Sequence, residues 1–128
     1  MKIGLGLYRH MLTPENFRFA RQAGATHIVA HWVDYWGEVE GDTVGIAIFD
    51  HPDNLRHPTT WHARDYGLVA ANPFGLHDFL NEPANAGAYR IEPGDSLVLK
   101  YRFVFHRGDA TSADIPSLYD SWAKGSQP

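Results

Sequence analysis

Three histidines, His51, His57 and His62, stand with Arg56, Trp61 and Arg64 in one run, DHPDNLRHPTTWHARDYG, from Asp50 to Gly67. Imidazole is the side chain that changes charge nearest neutral pH, and it is also the commonest metal ligand. A loop can present three such rings to a metal, with Asp50 or Asp53 adding an oxygen. The spacing does not require it. The run has no helical i, i+4 histidine pair, and side chains five and six residues apart on an extended segment have no reason to converge. No metal ligand is assigned, and the sequence names no cofactor.

A second chemistry fits the same residues. Arg56 and Arg64 can each bind a carboxylate or phosphate through two parallel bonds. Trp61 and Tyr66 offer flat apolar faces of the kind that stack on sugar rings. His62, and after it His51, are the candidate acid or base groups. Asn72 and His106 can join from neighbouring strands. The candidate ligand-binding set is therefore Arg56, Trp61, Arg64, Asn72 and His106. Asp50, Asp53, Asp65, Asp78 and Glu82 are present, but no paired glycosidase carboxylates stand out. The structural alternative is a rigid connection: DHPDN is a good turn, Trp61 plugs the core and the histidines bond backbone carbonyls.

These residues need elements to hold them. The chain has 128 residues, a length typical of one compact domain, and 44% hydrophobic residues, enough for a modest core. A formal charge of −4 without a basic stripe argues against nucleic acid or an anionic membrane as the main partner. There is no cysteine, hence no disulfide and no thiolate chemistry. No apolar run approaches a membrane span, and MKIGLGLYRHML reaches Arg9 and His10 too early for a signal peptide, so a cytoplasmic location is expected. GLGLYRH lacks the spacing of a dinucleotide-binding loop, and no phosphate loop or nucleophile elbow is present.

Residues 1–36 read as strand, helix, strand. KIGLGLY is a short apolar run. LTPENFRFARQAG starts with Thr13 as N-cap and Pro14 at the first helical position, pairs Leu12 with Phe17 as a staple, and ends at Gly24. THIVAHWV follows as a buried strand, completing a βαβ unit. Residues 37–128 have a different grammar. Thr43–Phe49, YGLVAA and SLVLKYRFVFHRGD read as short strands separated by turns, with Pro93-Gly94 the strongest turn signal. In the last of these, Leu97, Leu99, Tyr101, Phe103 and Phe105 form the face expected to pack. Ile115, Leu118, Tyr119 and Trp122 recur at helical spacing, with Asp114 placed to cap and Gly125 to terminate. The expected fold is α+β: a βαβ unit, then a mainly antiparallel, sandwich-like partial sheet, then a C-terminal helix.

MKIGLGLYRHMLTPENFRFARQAGATHIVAHWVDYW resembles the amino terminus of a (β/α)8 barrel of the mannonate dehydratase and sugar isomerase type. That resemblance implies a metal-dependent enzyme acting on a sugar acid. Its ligands would lie on later strands, and of the residues here only His10 and His31 stand near strand ends. GEVEGDTVGIAIFDHPDNLRHPTTWHARDYGLVAANPFG and LKYRFVFHRGDA resemble the PmoA-like family, β-sandwich proteins labelled after methane oxygenase. This second resemblance covers 37–128 and implies a sugar-related role. Together they raise the expectation of a chimera joined near WVDYWG. The expected function is that of a PmoA-like fragment, inactive alone. A fragment of a metal-dependent sugar-acid dehydratase or isomerase and a non-catalytic carbohydrate-binding module are the alternatives. The expected partner is a carbohydrate or sugar acid, with homo-oligomers formed through exposed strand edges.

Overall fold

A computed structural model describes residues 3–6, 25–63, 68–80 and 82–125. The helix expected between Thr13 and Gly24, His10 and Arg64 lie outside the described residues. Strand β1 is Ile3–Gly6 and β2 is Ala25–Val29. Strand β3 is Trp32–Val39, β4 is Asp42–Asp50, β5 is Thr60–Ala63 and β6 is Val69–Ala71. A short helix α1, Leu76–Leu80, precedes β7, Tyr101–Arg107, and helix α2, Ile115–Ala123, follows it. The fold is α+β, as the hydrophobic patterning indicated.

The strands form two sheets, ordered β1-β2-β5-β6 and β3-β4-β7. β1 and β2 are parallel, the arrangement a βαβ unit requires, and the other pairs are antiparallel. β3 and β4 are joined by Glu40 and Gly41, both at positive φ, as the two-residue turn matched to strand twist demands. The Pro93-Gly94 turn closes with Asp95 N–H donating to the Glu92 carbonyl at 3.0 Å, and Gly94 takes the positive φ.

THIVAHWV does not form one strand. It breaks at Ala30–His31 and supplies β2 to one sheet and β3 to the other. The break is held by bonds from distant residues. Asp50 N–H donates to the His31 carbonyl at 2.9 Å, and Ala30 N–H to the Thr59 carbonyl at 3.3 Å. The buried Trp61 indole N–H donates to the Ala30 carbonyl at 2.9 Å. An apolar run shows burial, but it does not show which sheet provides it. β3 continues through residues 36 and 37, the boundary where the two halves of the sequence change character.

The core lies between the β3-β4-β7 sheet and α2. Trp32, Ala47, Phe49, Ile115 and Tyr119 are buried together, with Val104, Ala110, Ala113, Trp122 and Ala123 against them. The Phe49 and Tyr119 rings meet edge to face at 5.5 Å. On β7 the packed face is the opposite of the one expected. Arg102 and Val104 are partly buried and the His106 side chain is buried, whereas Phe103 and Phe105 are 61% and 77% exposed. Both faces of this strand carry apolar residues, so alternation alone does not say which one the helix covers. On α2, Ile115 and Tyr119 face the sheet, while Leu118 is exposed.

Asp114 occupies the N-cap position of α2 in a left-handed conformation and makes no side-chain cap bond. The turn before the helix is organised by Asp109 instead. Its carboxylate accepts Ser112 N–H at 2.8 Å, Ser112 Oγ at 2.8 Å and Thr111 N–H at 3.1 Å. The Ser112 backbone and hydroxyl donors hold the Asp109 carboxyl below its usual range. A depressed native-state value adds stability above the unfolded-state value, and that contribution is lost as pH falls through the native one. The urea midpoint is therefore expected to drop as pH falls below about 4, with Asp109→Asn removing part of that dependence. In the core, Ile115→Ala is expected to cost about 2–5 kcal/mol in urea unfolding. Leu118→Ala should change stability by no more than about 0.5 kcal/mol.

Candidate functional site

Where the chain passes between the sheets, three side chains form a line. Asp50, at the end of β4, is fully buried. Its Oδ2 lies 2.8 Å from His57 Nδ1, and His57 Nε2 lies 2.9 Å from His31 Nδ1. The two imidazoles stand 4.9 Å apart between centroids. His31 is on the link between β2 and β3, and His57 is on the link between β4 and β5. Both links cross between sheets at this point.

The loop is built to hold the carboxylate. Asn54 Nδ2 donates to Asp50 Oδ1 at 2.8 Å and to the Lys100 carbonyl at 2.6 Å, while Asn54 Oδ1 accepts Lys100 N–H at 2.6 Å. Thr59 N–H donates to Asp50 Oδ2 at 3.0 Å. The Tyr119 hydroxyl donates to the Asp50 carbonyl at 3.2 Å, which connects α2 to the same point. A cis peptide joins His57 and Pro58. Hydrogen bonds of this kind let a carboxylate remain in a dry interior, where an unpaired one would be expelled or neutralised.

The line has a chemical direction. A carboxylate only accepts, so His57 donates through Nδ1–H. His57 Nε2 and His31 Nδ1 share the second bond of the line, one donating and the other accepting. The order is a buried acid, an orienting imidazole and a partly exposed outer imidazole, the logic by which a buried aspartate sets a histidine tautomer in hydrolytic triads.

The other expected site residues fall into separate environments. Arg56 is committed to structure. Its guanidinium donates to the carbonyls of Pro73, Ala86, Gly87 and Ala88 at 2.8–3.2 Å and gathers the 73–88 segment against the loop. Gly87 lies so close to the Phe74 carbonyl that an added Cβ would overlap it. Trp61 is buried in the interior rather than presented to a ligand. Asn72 caps the turn into α1 by accepting Phe74 N–H at 3.0 Å, and its carbonyl accepts the Thr60 hydroxyl. The His62 ring packs 5.8 Å from Phe79. His51 accepts Asp53 N–H through Nδ1 at 3.1 Å, and its ring meets the Trp122 edge at 4.9 Å. Asp53 binds Lys100 at 2.9 Å, and that ammonium holds the Asp53 carboxyl low.

His106 belongs to a second, separate dyad on the helix-facing side of the sheet. Its Nε2 lies 2.9 Å from Asp34 Oδ1, and both side chains are buried. The ring lies over Gly45, where an added Cβ would overlap it. His106 Nδ1 and Asp34 Oδ2 are buried without a hydrogen-bond partner among the described residues. Of the three histidines in the 50–67 run, His51 lies 3.4 Å from the Asp53 carboxylate, and His57 lies between a carboxylate and another imidazole. Its partner His31 is 26 positions away, and no spacing rule connects them. The legible signal was Asp50 itself, a charged residue ending an apolar strand. Among the described residues, no group of three or more histidine, aspartate or glutamate side chains is placed to hold a metal ion. Among them, too, no helix is long and apolar enough to cross a membrane.

An α+β protein with two sheets and a buried aspartate–histidine–histidine line at their crossing is the class defined by this geometry. Residues 9–120 match DUF6807, a family of unknown function, and the chain belongs to that family. The matched range includes residues 36 and 37. No curated protein and no solved structure matches the chain.

The line makes a spectroscopic prediction. Asp50→Asn puts an amide N–H₂ where only acceptors fit the surrounding donors, so a buried donor loses its partner, at a cost of about 1–3 kcal/mol. In nitrogen-15 spectra, the His57 Nδ1 signal is expected to shift in this variant, because its carboxylate acceptor is gone.

Proposed function

We propose that the protein carries out acid–base chemistry on a hydroxyl-bearing substrate, with the His31–His57 imidazole pair as the proton-carrying groups and Asp50 as the group that orients them. The observation that carries this reading is the continuous line from a fully buried carboxylate through two imidazoles to a partly exposed ring. Structural histidines are commonly satisfied by one backbone carbonyl. Here two rings and a carboxylate are aligned at 2.9 and 2.8 Å, and a proton taken up by the imidazole pair is shared along the line towards Asp50. Positioned bases of this kind contribute about 10²–10⁴-fold to rate.

The resemblance of 37–128 to the PmoA-like family supports a sugar-related substrate, and a sugar or sugar acid offers the hydroxyl such a base needs. In this reading Arg56 shapes the site by holding the 73–88 segment and does not touch the ligand.

A second reading is favoured by a specific observation. Asp50 also accepts from Asn54 and Thr59, so the line can serve as the fastener of the sheet crossing in a non-catalytic binding module. The two readings separate in one experiment. Purified protein is screened for turnover and for binding against free uronic acids and methyl glycosides. Under the first reading, His31→Gln retains the fold and lowers turnover by at least about 10²-fold. Under the second, no substrate turns over, and His31→Gln lowers thermal stability while leaving any sugar affinity unchanged.

A further inference from the structure

The β3-β4-β7 sheet has two unlike faces. α2 covers the face built from the cross-strand rows Trp32–Phe49–Arg102, Asp34–Ala47–Val104 and Trp36–Gly45–His106. The opposite face is built from the rows Val33–Ile48–Phe103, Tyr35–Ile46–Phe105 and Gly37–Val44–Arg107. Seven of these nine residues are apolar or aromatic, and the charges lie at the end of the face, Arg107 at one corner and Asp42 in the next row opposite Val39. Tyr35 and Phe103 are each 61% exposed, Phe105 is 77% exposed and Ile46 is 40% exposed. A sheet apolar on both sides is a middle layer in search of a second cover.

We infer that this bare face is the interface of a homodimer, in which two copies pack their β3-β4-β7 sheets face to face about a twofold axis running along β4. Two arguments point to a second copy. First, area: aromatic side chains bury about 150–250 Å² each, so at these exposures the face offers roughly 600 Å² per copy. Two copies then bury about 1,200 Å², the lower limit of specific interfaces, and the roughly 600 Å² on each copy is at the upper end of the apolar patches that monomers leave to water. Second, symmetry and charge. The middle row reads Tyr35–Ile46–Phe105, with an aromatic at each end and an aliphatic at the centre. A twofold axis along β4 turns that row onto itself, setting Tyr35 of one copy over Phe105 of the other and Ile46 over Ile46. Such a surface is self-complementary, as an isologous contact requires, and the uncharged centre gives no preference for a charged partner. Packed sheets of this kind lie about 10 Å apart. This contact uses the sheet face and leaves the edges of β3 and β7 unpaired.

The chain contains no cysteine, so a single introduced thiol reports position without background. Sedimentation equilibrium at roughly 100 μM is expected to give a dimer, and Phe105→Lys should weaken it at least about tenfold while circular dichroism stays unchanged. Leu118→Lys, on the exposed side of α2, should leave the dimer intact and serves as the folded control. Ile46→Cys should be joined between copies by a bifunctional maleimide about 10 Å long, and Leu118→Cys should not. A wild-type chain that is monomeric at that concentration overturns the inference. So does a dimer indifferent to Phe105→Lys, which would place the contact at strand edges, or equal crosslinking at both cysteine positions.

Discussion

The buried carboxylate of Asp50 is the constraint around which the described part of the molecule is organised. A charged group with no exposure to water persists only where donors surround it. Here the donors come from the loop that follows it, Asn54, His57 and Thr59, and His57 in turn ties this group to His31 on the link between β2 and β3. The backbone of the same residue adds two further ties, its N–H to the His31 carbonyl and its carbonyl to the Tyr119 hydroxyl. One residue thus fastens both sheet crossings and the C-terminal helix. Removing a partner from so dense a network leaves a buried group unpaired, which costs more than the lost bond itself.

The same constraint gives the site its chemical character. A carboxylate that only accepts takes the Nδ1 proton of the first imidazole, and that imidazole is bonded in turn to the second. The three histidines of the run fall into three different environments. His57 is in the line, His51 packs on Trp122, and His62 packs on Phe79. The most conspicuous charged candidate for binding an anion, Arg56, has its guanidinium surrounded by backbone carbonyls. Arginine beside histidine in sequence suggests a ligand, but five donors in a rigid fork serve equally to collect the carbonyls of an irregular segment.

The two sheets also differ in how their surfaces are finished. The β3-β4-β7 sheet has a buried polar dyad, Asp34–His106, on the face that α2 packs against and an aromatic array on the opposite face. This inverts the usual distribution of polar-out and apolar-in. The Gly45 position explains how the dyad fits: without a side chain on the middle strand, the His106 ring can cross towards Asp34. The exposed rings and the buried histidine are thus alternate residues of one strand, placed on opposite faces by the period of two.

Much of the architecture was legible in the residues. The α+β class, the Ile115–Ala123 helix, the Pro93-Gly94 turn and the parallel pairing of the first two strands all follow from local signals: periodicity, turn chemistry and strand composition. Those signals act over a few residues, so a short window contains them. Three features were decided only by tertiary structure. THIVAHWV divides between two sheets because Asp50, Thr59 and Trp61 bind its midpoint. β7 turns His106 inward because α2 reaches only one of two apolar faces. His31 and His57 meet because two crossings coincide, although 26 positions separate them. Local composition determines which elements form, whereas the meeting of side chains across elements depends on packing of the whole chain, and the chemistry of this site resides in that meeting.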